Sequence, residues 1–106
     1  MSITQTPAPP YYAVIFTSQR TEGDHGYNSM AEKVLELAGQ QAGFLGAESV
    51  RNGAGLGITV AYWQSLEAIE QFKNHSLHAA AQKEGRNRWY SEFGLRVCKV
   101  ERDSFL

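Results

Sequence analysis

Four short runs of the chain concentrate aromatic and β-branched residues, a composition that favours β-strands. These runs are residues 11–18, 44–51, 56–63 and 90–100. In the first run, Tyr12, Val14 and Phe16 point to one side of a pleated strand, and Ala13 and Ile15 point to the other. Because both sets are apolar, we expect both faces of the sheet to be covered.

Two segments between these strands show the period of amphipathic helices. In the first helix, predicted over residues 27–41, the apolar positions are Met30, Val34, Leu37 and Ala38. In the second, the apolar stripe is formed by Leu66, Ile69 and Phe72. Ser65 precedes this stripe and is a residue type that favours helix N-caps. The period falters near His75, so we predict a broken helix with a second piece over residues 77–84.

The predicted order of elements is β-α-β-β-α-β. Right-handed crossovers place both helices on one face of a four-stranded antiparallel sheet, which is a ferredoxin-like α+β fold. Asn52 and Gly53 follow the second strand and tolerate the positive φ of a tight hairpin. Residues 1–10 contain three prolines and are assigned to a flexible N-terminal tail, so the single domain spans residues 11–106.

The composition limits which classes of partner we expect this protein to bind. The 106 residues are 42% hydrophobic and 20% charged, and the net charge of -1 provides no field for nucleic acid or an anionic membrane. No run approaches the roughly 18 apolar residues of a membrane span. The single cysteine, Cys98, has no internal partner for a disulfide, which suits a reducing compartment. We therefore expect a cytoplasmic protein that has no nucleic-acid or membrane partner.

Two helices cover only one face of the predicted sheet. The first, third and last strands are apolar on both faces, and a large exposed apolar surface is a liability unless another surface covers it. We therefore predict a homodimer in which the sheets of two copies face each other.

Three segments carry a resemblance to a known family. They are WQSLEAIEQFKNH at residues 63–75, AGFLGAESVRN at residues 42–52, and the pattern HxxHxxAQxxGRxxWY at residues 75–90. From residue 11 to residue 100 the chain resembles proteins with an antibiotic biosynthesis monooxygenase (ABM) domain. The resemblance implies a dimeric α/β barrel with one ligand pocket per subunit, between sheet and helices. It also implies an oxygenase of one of two kinds. The first is a cofactor-independent enzyme that acts on planar polyphenolic substrates, and the second is an enzyme that binds haem and opens its ring by oxidation.

The haem-degrading branch of the family uses an asparagine on the first strand, with a tryptophan and a histidine on the second helix. Aligned on the shared W-x-S segment, the last two positions fall at Phe72 and Gln82 in this chain. The first strand offers Thr17 and Ser18 but no asparagine. This set is therefore absent, and haem oxidation is the least favoured function. Since the chain also lacks nucleotide-binding and flavin-binding motifs, we predict no bound cofactor.

His75 and His78 are three residues apart and could share one face of a helix. Metal binding is disfavoured because no third ligand completes a site nearby. The structural alternative is that both are solvated or locally bonded histidines. The functional alternative is that one accepts a phenolic proton, because imidazole titrates near neutral pH. We prefer His78 as the catalytic base, since the small residues 79–81 let a ligand approach.

Large aromatic and polar side chains near the second helix supply the remaining candidates. The predicted substrate-binding residues are Trp63, Phe72, His75, Gln82, Arg88 and Trp89. The rings could stack on a planar ligand, with packing in the core as the alternative. Arg88 could hold a carboxylate or an enolate in a bidentate contact, with an interaction at the carbonyl end of the helix as the alternative.

These features support two functions of different classes. The first is a cofactor-independent monooxygenase of a small planar aromatic or phenolic ligand, in which His78 removes a phenolic proton and the substrate anion reacts with dioxygen. The alternative is a non-catalytic dimeric ligand-binding or stress-related protein of the same fold. The sequence leaves open which of the two applies, and which substrate is bound.

Overall fold

The computed structural model describes residues 3–24, 26–75 and 89–106. Within them the elements are β1 (Tyr11–Arg20), α1 (Tyr27–Gly39), β2 (Phe44–Arg51), β3 (Leu56–Trp63), α2 (Leu66–Lys73) and β4 (Tyr90–Val100). The strands form one antiparallel sheet in the order β2-β3-β1-β4. This confirms the predicted ferredoxin-like α+β fold. The predicted helical piece at residues 77–84 lies outside the described residues.

The strand register assigns the paired strand residues to one of two faces, because residues directly opposite each other in an antiparallel pair point to the same side. Three rows cross the helix-bearing face: Arg51–Gly57–Ser18–Phe93, Ser49–Thr59–Phe16–Leu95, and Ala47–Ala61–Val14–Val97. The opposite side, which we call the far face, carries the alternate residues. Its rows include Val50–Ile58–Thr17 and Glu48–Val60–Ile15.

The apolar core lies between the helices and one end of the helix-bearing face. Trp63 is only 2% exposed, and its ring lies 5.1 Å from that of Phe44 and 5.2 Å from that of Phe72. Ala38 of α1 and Ala68 of α2 complete the buried cluster. Burial of large rings in offset or edge contacts contributes most of the packing energy at such a site, so this cluster holds both helices on the sheet.

Helix α2 begins where the sequence predicted. The Ser65 Oγ accepts a hydrogen bond from the backbone N–H of Ala68 at 3.1 Å, which satisfies a donor that the first turn leaves unpaired. The predicted apolar stripe was wrong at Leu66, which is 51% exposed. The buried residues are Ala68 and Phe72, one turn apart. Leu66 precedes Ala68 by two positions and therefore lies on the opposite side of the helix.

The β2–β3 hairpin differs from the prediction in the position of its left-handed residue. Gly55, with φ +94°, takes the left-handed conformation in place of Gly53. The Asn52 Oδ1 accepts hydrogen bonds from the N–H groups of Ala54 and Leu56, both at 3.0 Å. The connection spans residues 52–55, and a loop of this length places its left-handed glycine just before the next strand.

Residues from both ends of the chain cover one end of the far face. The Thr4 N–H donates to Glu48 Oε2 at 3.2 Å, and the Tyr62 hydroxyl donates to Glu48 Oε1. The Tyr11 hydroxyl donates to Asp103 Oδ2 at 2.6 Å. We call these five contacting residues the terminal clasp: Thr4, Tyr11, Glu48, Tyr62 and Asp103. They line a cavity of about 270 Å³.

The clasp shifts the acid–base properties of its members. The hydrogen bond from Tyr62, followed by that from Thr4, lowers the pKa of Glu48 below its usual range. Burial and the bond to Glu48 raise the pKa of Tyr62 to about 12. The bond to Asp103 raises the pKa of Tyr11. All three shifts favour a neutral phenol beside an ionised carboxylate.

The other end of the far face carries exposed apolar side chains. Val50 is 65% exposed, and Leu56 and Ile58 are about half exposed. None of the helices within the three described ranges is long and apolar enough to cross a membrane.

Candidate functional site

The helix-bearing face has an apolar area that the core cluster does not bury. Helix α1 packs mainly against β2 and α2 mainly against β3. On β4, Leu95 is 49% and Val97 48% exposed, although both share the face of the helices. Leu95 shares its row with Ser49, Thr59 and Phe16, and the hydroxyls of Ser49 and Thr59 lie 2.8 Å apart. We call these five residues the open floor.

An aromatic cluster borders the open floor at the β4 end. Its members are Phe16, Tyr27, Trp89, Tyr90 and Phe93. The Phe16 ring lies 5.3 Å from Tyr90 and 5.5 Å from Phe93, and the Tyr27 ring lies 5.7 Å from Trp89. Most of these contacts are edge-on, a favourable geometry for aromatic pairs. One side of the open floor is therefore bordered by the packed rings of this aromatic cluster.

Arg20 fixes the loop that brings Tyr27 to this cluster. Its guanidinium carbon lies 3.9 Å from the centre of the Tyr27 ring, a cation–π contact. The Nη atoms donate to backbone carbonyls of Thr21, Gly23, Asp24 and Trp89. Arg20 thereby ties the β1–α1 loop to the start of β4, and its role is structural.

Two tyrosine hydroxyls meet at the same place. Burial, followed by the hydrogen bond to Tyr27, raises the pKa of Tyr90, and the nearby cations of Arg51 and Arg20 oppose this rise only in part. The Tyr90 phenol therefore stays protonated across the physiological range. It can act as a hydrogen-bond donor and is a poor base.

Arg51 supplies positive charge at the edge of the floor. Its Nη2 donates to Ser18 Oγ at 2.8 Å, and its Nη1 donates to the carbonyls of Ser18 and Gly55. Ser18 is 2% exposed, a buried hydroxyl in the polar second half of β1. A polar group at that depth needs a partner, and Arg51 provides it. An apolar floor with ring walls, phenol donors and a cation suits a planar aromatic ligand that carries an acidic oxygen.

The structure brings some of the predicted site residues together in the core. Trp63 and Phe72 are buried side by side, the packing alternative that the sequence left open for these rings. Trp89 is buried against Tyr27. His75 is exposed just after α2, and its N–H donates to the carbonyl of Phe72 at 3.1 Å.

The remaining predicted site residues, His78, Gln82 and Arg88, lie outside the described residues. The catalytic and binding roles assigned to all seven positions stay predictions. Within the described ranges, no group of three or more histidine, cysteine or carboxylate side chains is arranged to hold a metal ion.

Sequence reasoning missed Arg51, Ser18 and Tyr27. Ser18 gave no local signal, because its neighbours Thr17, Gln19 and Arg20 in β1 are also polar. Arg51 stands beside a hairpin, where charged residues are common, and its neighbours depend on the register of β2 against β3. Register is set by the whole sheet, so this contact has no short-range signature.

Comparison with known proteins identifies the family. The family model described as antibiotic biosynthesis monooxygenase matches residues 10–84. The chain belongs to this family. The sequence resemblance is thereby confirmed. The chain is also 51% identical over 100 residues to the uncharacterized protein YqjZ of Bacillus subtilis, which covers 94% of this chain and 88% of that protein.

Two solved structures share the fold of this chain. SnoaB from Streptomyces nogalater, a cofactor-independent oxygenase, matches with a TM-score of 0.72 at 13% identity, over 91% of this chain and 97% of that one. Rv0793 from Mycobacterium tuberculosis matches with a TM-score of 0.74 at 10% identity, over 89% and 97% of the two chains. At such low identity these matches establish the fold alone.

Proposed function

We propose that this chain is a cofactor-independent monooxygenase that oxidises a small planar phenolic substrate bound over the open floor. Membership of the ABM family supports an oxygenase, and similarity to SnoaB favours one without a cofactor. The observation that carries the proposal is the exposed apolar floor beside the aromatic cluster, since it offers a flat surface edged by phenol donors.

The proposed reaction needs only the substrate, dioxygen and a base. A base, for which His78 remains our candidate, takes a phenolic proton, and the electron-rich anion reacts with dioxygen at the ring carbon para to that oxygen. One oxygen atom becomes a new carbonyl. The other leaves as water with the ring hydrogen and the phenolic proton. The substrate loses four electrons, which dioxygen accepts, and the product is a quinone.

Naphthalene-1,5-diol is a suitable probe because the ring carbon para to each hydroxyl carries only hydrogen. The wild-type protein should consume one dioxygen for each hydroxynaphthoquinone formed, measured with an oxygen electrode and by visible absorbance. Leu95→Glu places a carboxylate on the floor and should abolish turnover by repelling the phenolate. Leu35→Glu is the matched control, because Leu35 is 58% exposed on α1.

The outcomes separate the proposed functions. Oxygen uptake no faster than autoxidation, together with diol binding that Leu95→Glu removes, would favour the non-catalytic ligand-binding protein instead. Equal rates for His78→Ala and wild type would remove His78 from the mechanism.

We also propose that two copies associate through their far faces. Val50, Leu56 and Ile58 form an exposed apolar strip there, which favours a covering surface. Sedimentation equilibrium should give twice the 11.8 kDa chain mass at micromolar concentration. Ile58→Arg should shift the mass toward the monomer, and Leu35→Arg on α1 should not. A wild-type mass of 11.8 kDa would overturn the dimer. The cytoplasmic location stays a prediction.

A further inference from the structure

Arg51 reaches across the sheet because of a glycine. It stands opposite Gly57 of β3 in the row that continues to Ser18 of β1. A Cβ atom at Gly57 would lie 2.7 Å from Arg51 Cζ, closer than real contacts allow. The guanidinium therefore fills the space that a side chain at position 57 would need. It crosses β3 and lies one row from the open floor.

Arg51 is anchored, yet it retains hydrogen-bonding capacity. A guanidinium has five N–H donors. Three of them are used, by the Ser18 Oγ and by the carbonyls of Ser18 and Gly55. Among the described residues, no acceptor takes the Nε–H or the second Nη2–H, and no carboxylate pairs with this cation. Two donors are left on a group whose position is already fixed.

The surroundings of Arg51 suit an anion more than a neutral polar group. The side chain is half-buried, and Ser18 beneath it is fully buried, so charge–charge attraction is screened less here than on an open surface. Its cation acts on Tyr90, a member of the aromatic cluster. An aromatic ligand whose ring lies on Phe16 would therefore be close to both the aromatic cluster and Arg51.

We propose that Arg51 is the anion-recognition residue of this site, and that the ligand is a planar aromatic acid or phenolate whose oxygens accept from the two remaining N–H groups. Ser18 and Gly57 act as positioning residues: the first anchors the guanidinium and the second leaves it room. This inference rests on the proposed function only for the place where the ligand lies, and it is independent of oxidation.

The test compares an anion with its neutral isostere. Calorimetric titration of the wild-type protein with 1-naphthoate and with 1-naphthamide should show the carboxylate bound about tenfold more tightly, the size expected of a charge-assisted contact. Arg51→Met should remove this preference, because it should lower the affinity for 1-naphthoate more than the affinity for 1-naphthamide. Arg51→Lys keeps the positive charge but should retain only part of the preference for 1-naphthoate, since an ammonium cannot make the paired contact.

Arg96→Met is the matched control, because Arg96 lies opposite Ile15 on the far face. It should leave the preference for 1-naphthoate intact. Equal affinities of the wild type for the two probes, binding of neither, or a preference that survives both Arg51 substitutions would overturn the inference. If Arg51→Met fails to fold, Arg51→Lys decides. A preference for 1-naphthoate without turnover of naphthalene-1,5-diol would remove the proposed reaction and leave the role of Arg51 standing.

Discussion

The two faces of the sheet are covered by different interactions but at the same end. On the helix-bearing face, Trp63 and Phe72 bury apolar rings. On the far face, the terminal clasp uses tyrosine–carboxylate hydrogen bonds. Toward the β2–β3 hairpin, Arg51 lies on the helix-bearing face and the half-exposed Ile58 lies on the far face. The proposed ligand site and the proposed dimer surface are thus separated only by the thickness of the sheet.

The largest effect should come from removing the centre of the helix-side core. Trp63→Ala should lower the free energy of unfolding by about 3–5 kcal/mol, because it leaves a cavity between both helices and the sheet. Urea denaturation measures this loss. Leu66→Ala, at a position that sequence reasoning placed in the same core, should change stability by less than about 0.5 kcal/mol. Comparable losses for the two variants would contradict the core described above.

A smaller effect is expected where Arg51 crosses the sheet. Gly57→Ala should destabilise the fold by about 1–3 kcal/mol, because the new methyl group meets the guanidinium. In an Arg51→Met background the same substitution should cost much less. A full cost in both backgrounds would show that the guanidinium does not fill this space.

Gly39→Ala is the matched glycine control. Gly39 ends α1, and a Cβ there would have no atom within 4 Å. Alanine is the better helix former, so this variant should gain up to about 1 kcal/mol. A destabilisation by Gly39→Ala would mean that glycine substitution itself, rather than contact with Arg51, explains the result at position 57.

The start of α2 should contribute about 1 kcal/mol through its N-cap. Ser65→Ala removes the acceptor for the Ala68 N–H and should lower stability by this amount in urea denaturation. Ser65→Asp keeps an acceptor at the same position and should restore it. If aspartate gave no recovery, the loss would have to come from another contact of Ser65.

The smallest effect is expected at the clasp and depends on pH. The folded pKa of Glu48 lies below its ordinary value of 4.5, so its contribution is complete above pH 4.5 and disappears as pH falls through the folded pKa. The wild type should therefore be more stable than Glu48→Gln at pH 7, and the difference should vanish at low pH. Paired urea denaturations at pH 7 and at a series of pH values below 4.5 test this. A constant difference would contradict the hydrogen bonds to Tyr62 and Thr4 as its source.

Local pattern was enough to predict the elements. The observed bounds of β2, β3 and β4 are those expected from their apolar runs, and Ser65 was recognised as an N-cap. What local pattern could not predict was the set of contacts that depend on register or on distant segments. Arg51 meets Ser18 only because Gly57 lies between them, and Tyr11 meets Asp103 across nearly the whole chain.

In the candidate site, too, local pattern predicted the residue types but not the contacts that they make. The rings of Trp63 and Phe72 were found as aromatic positions, but their burial against each other depends on helix packing, which the sequence pattern does not give. The exposed Leu95 and Val97 alternate along β4 as the sequence indicated. Their exposure on the helix side depends on where α1 and α2 lie, and periodicity carries no information about that position.

The central place of β1 has a consequence for folding. The first strand of the chain pairs on one edge with β3 and on the other with β4, its partner farthest along the sequence. Contacts between such distant segments slow folding, because a long loop must close before the pairing can stabilise it. On the ribosome, β1 therefore waits with an unpaired edge until residues 90–100 have been made. Strands left in this state are where chains associate wrongly with one another.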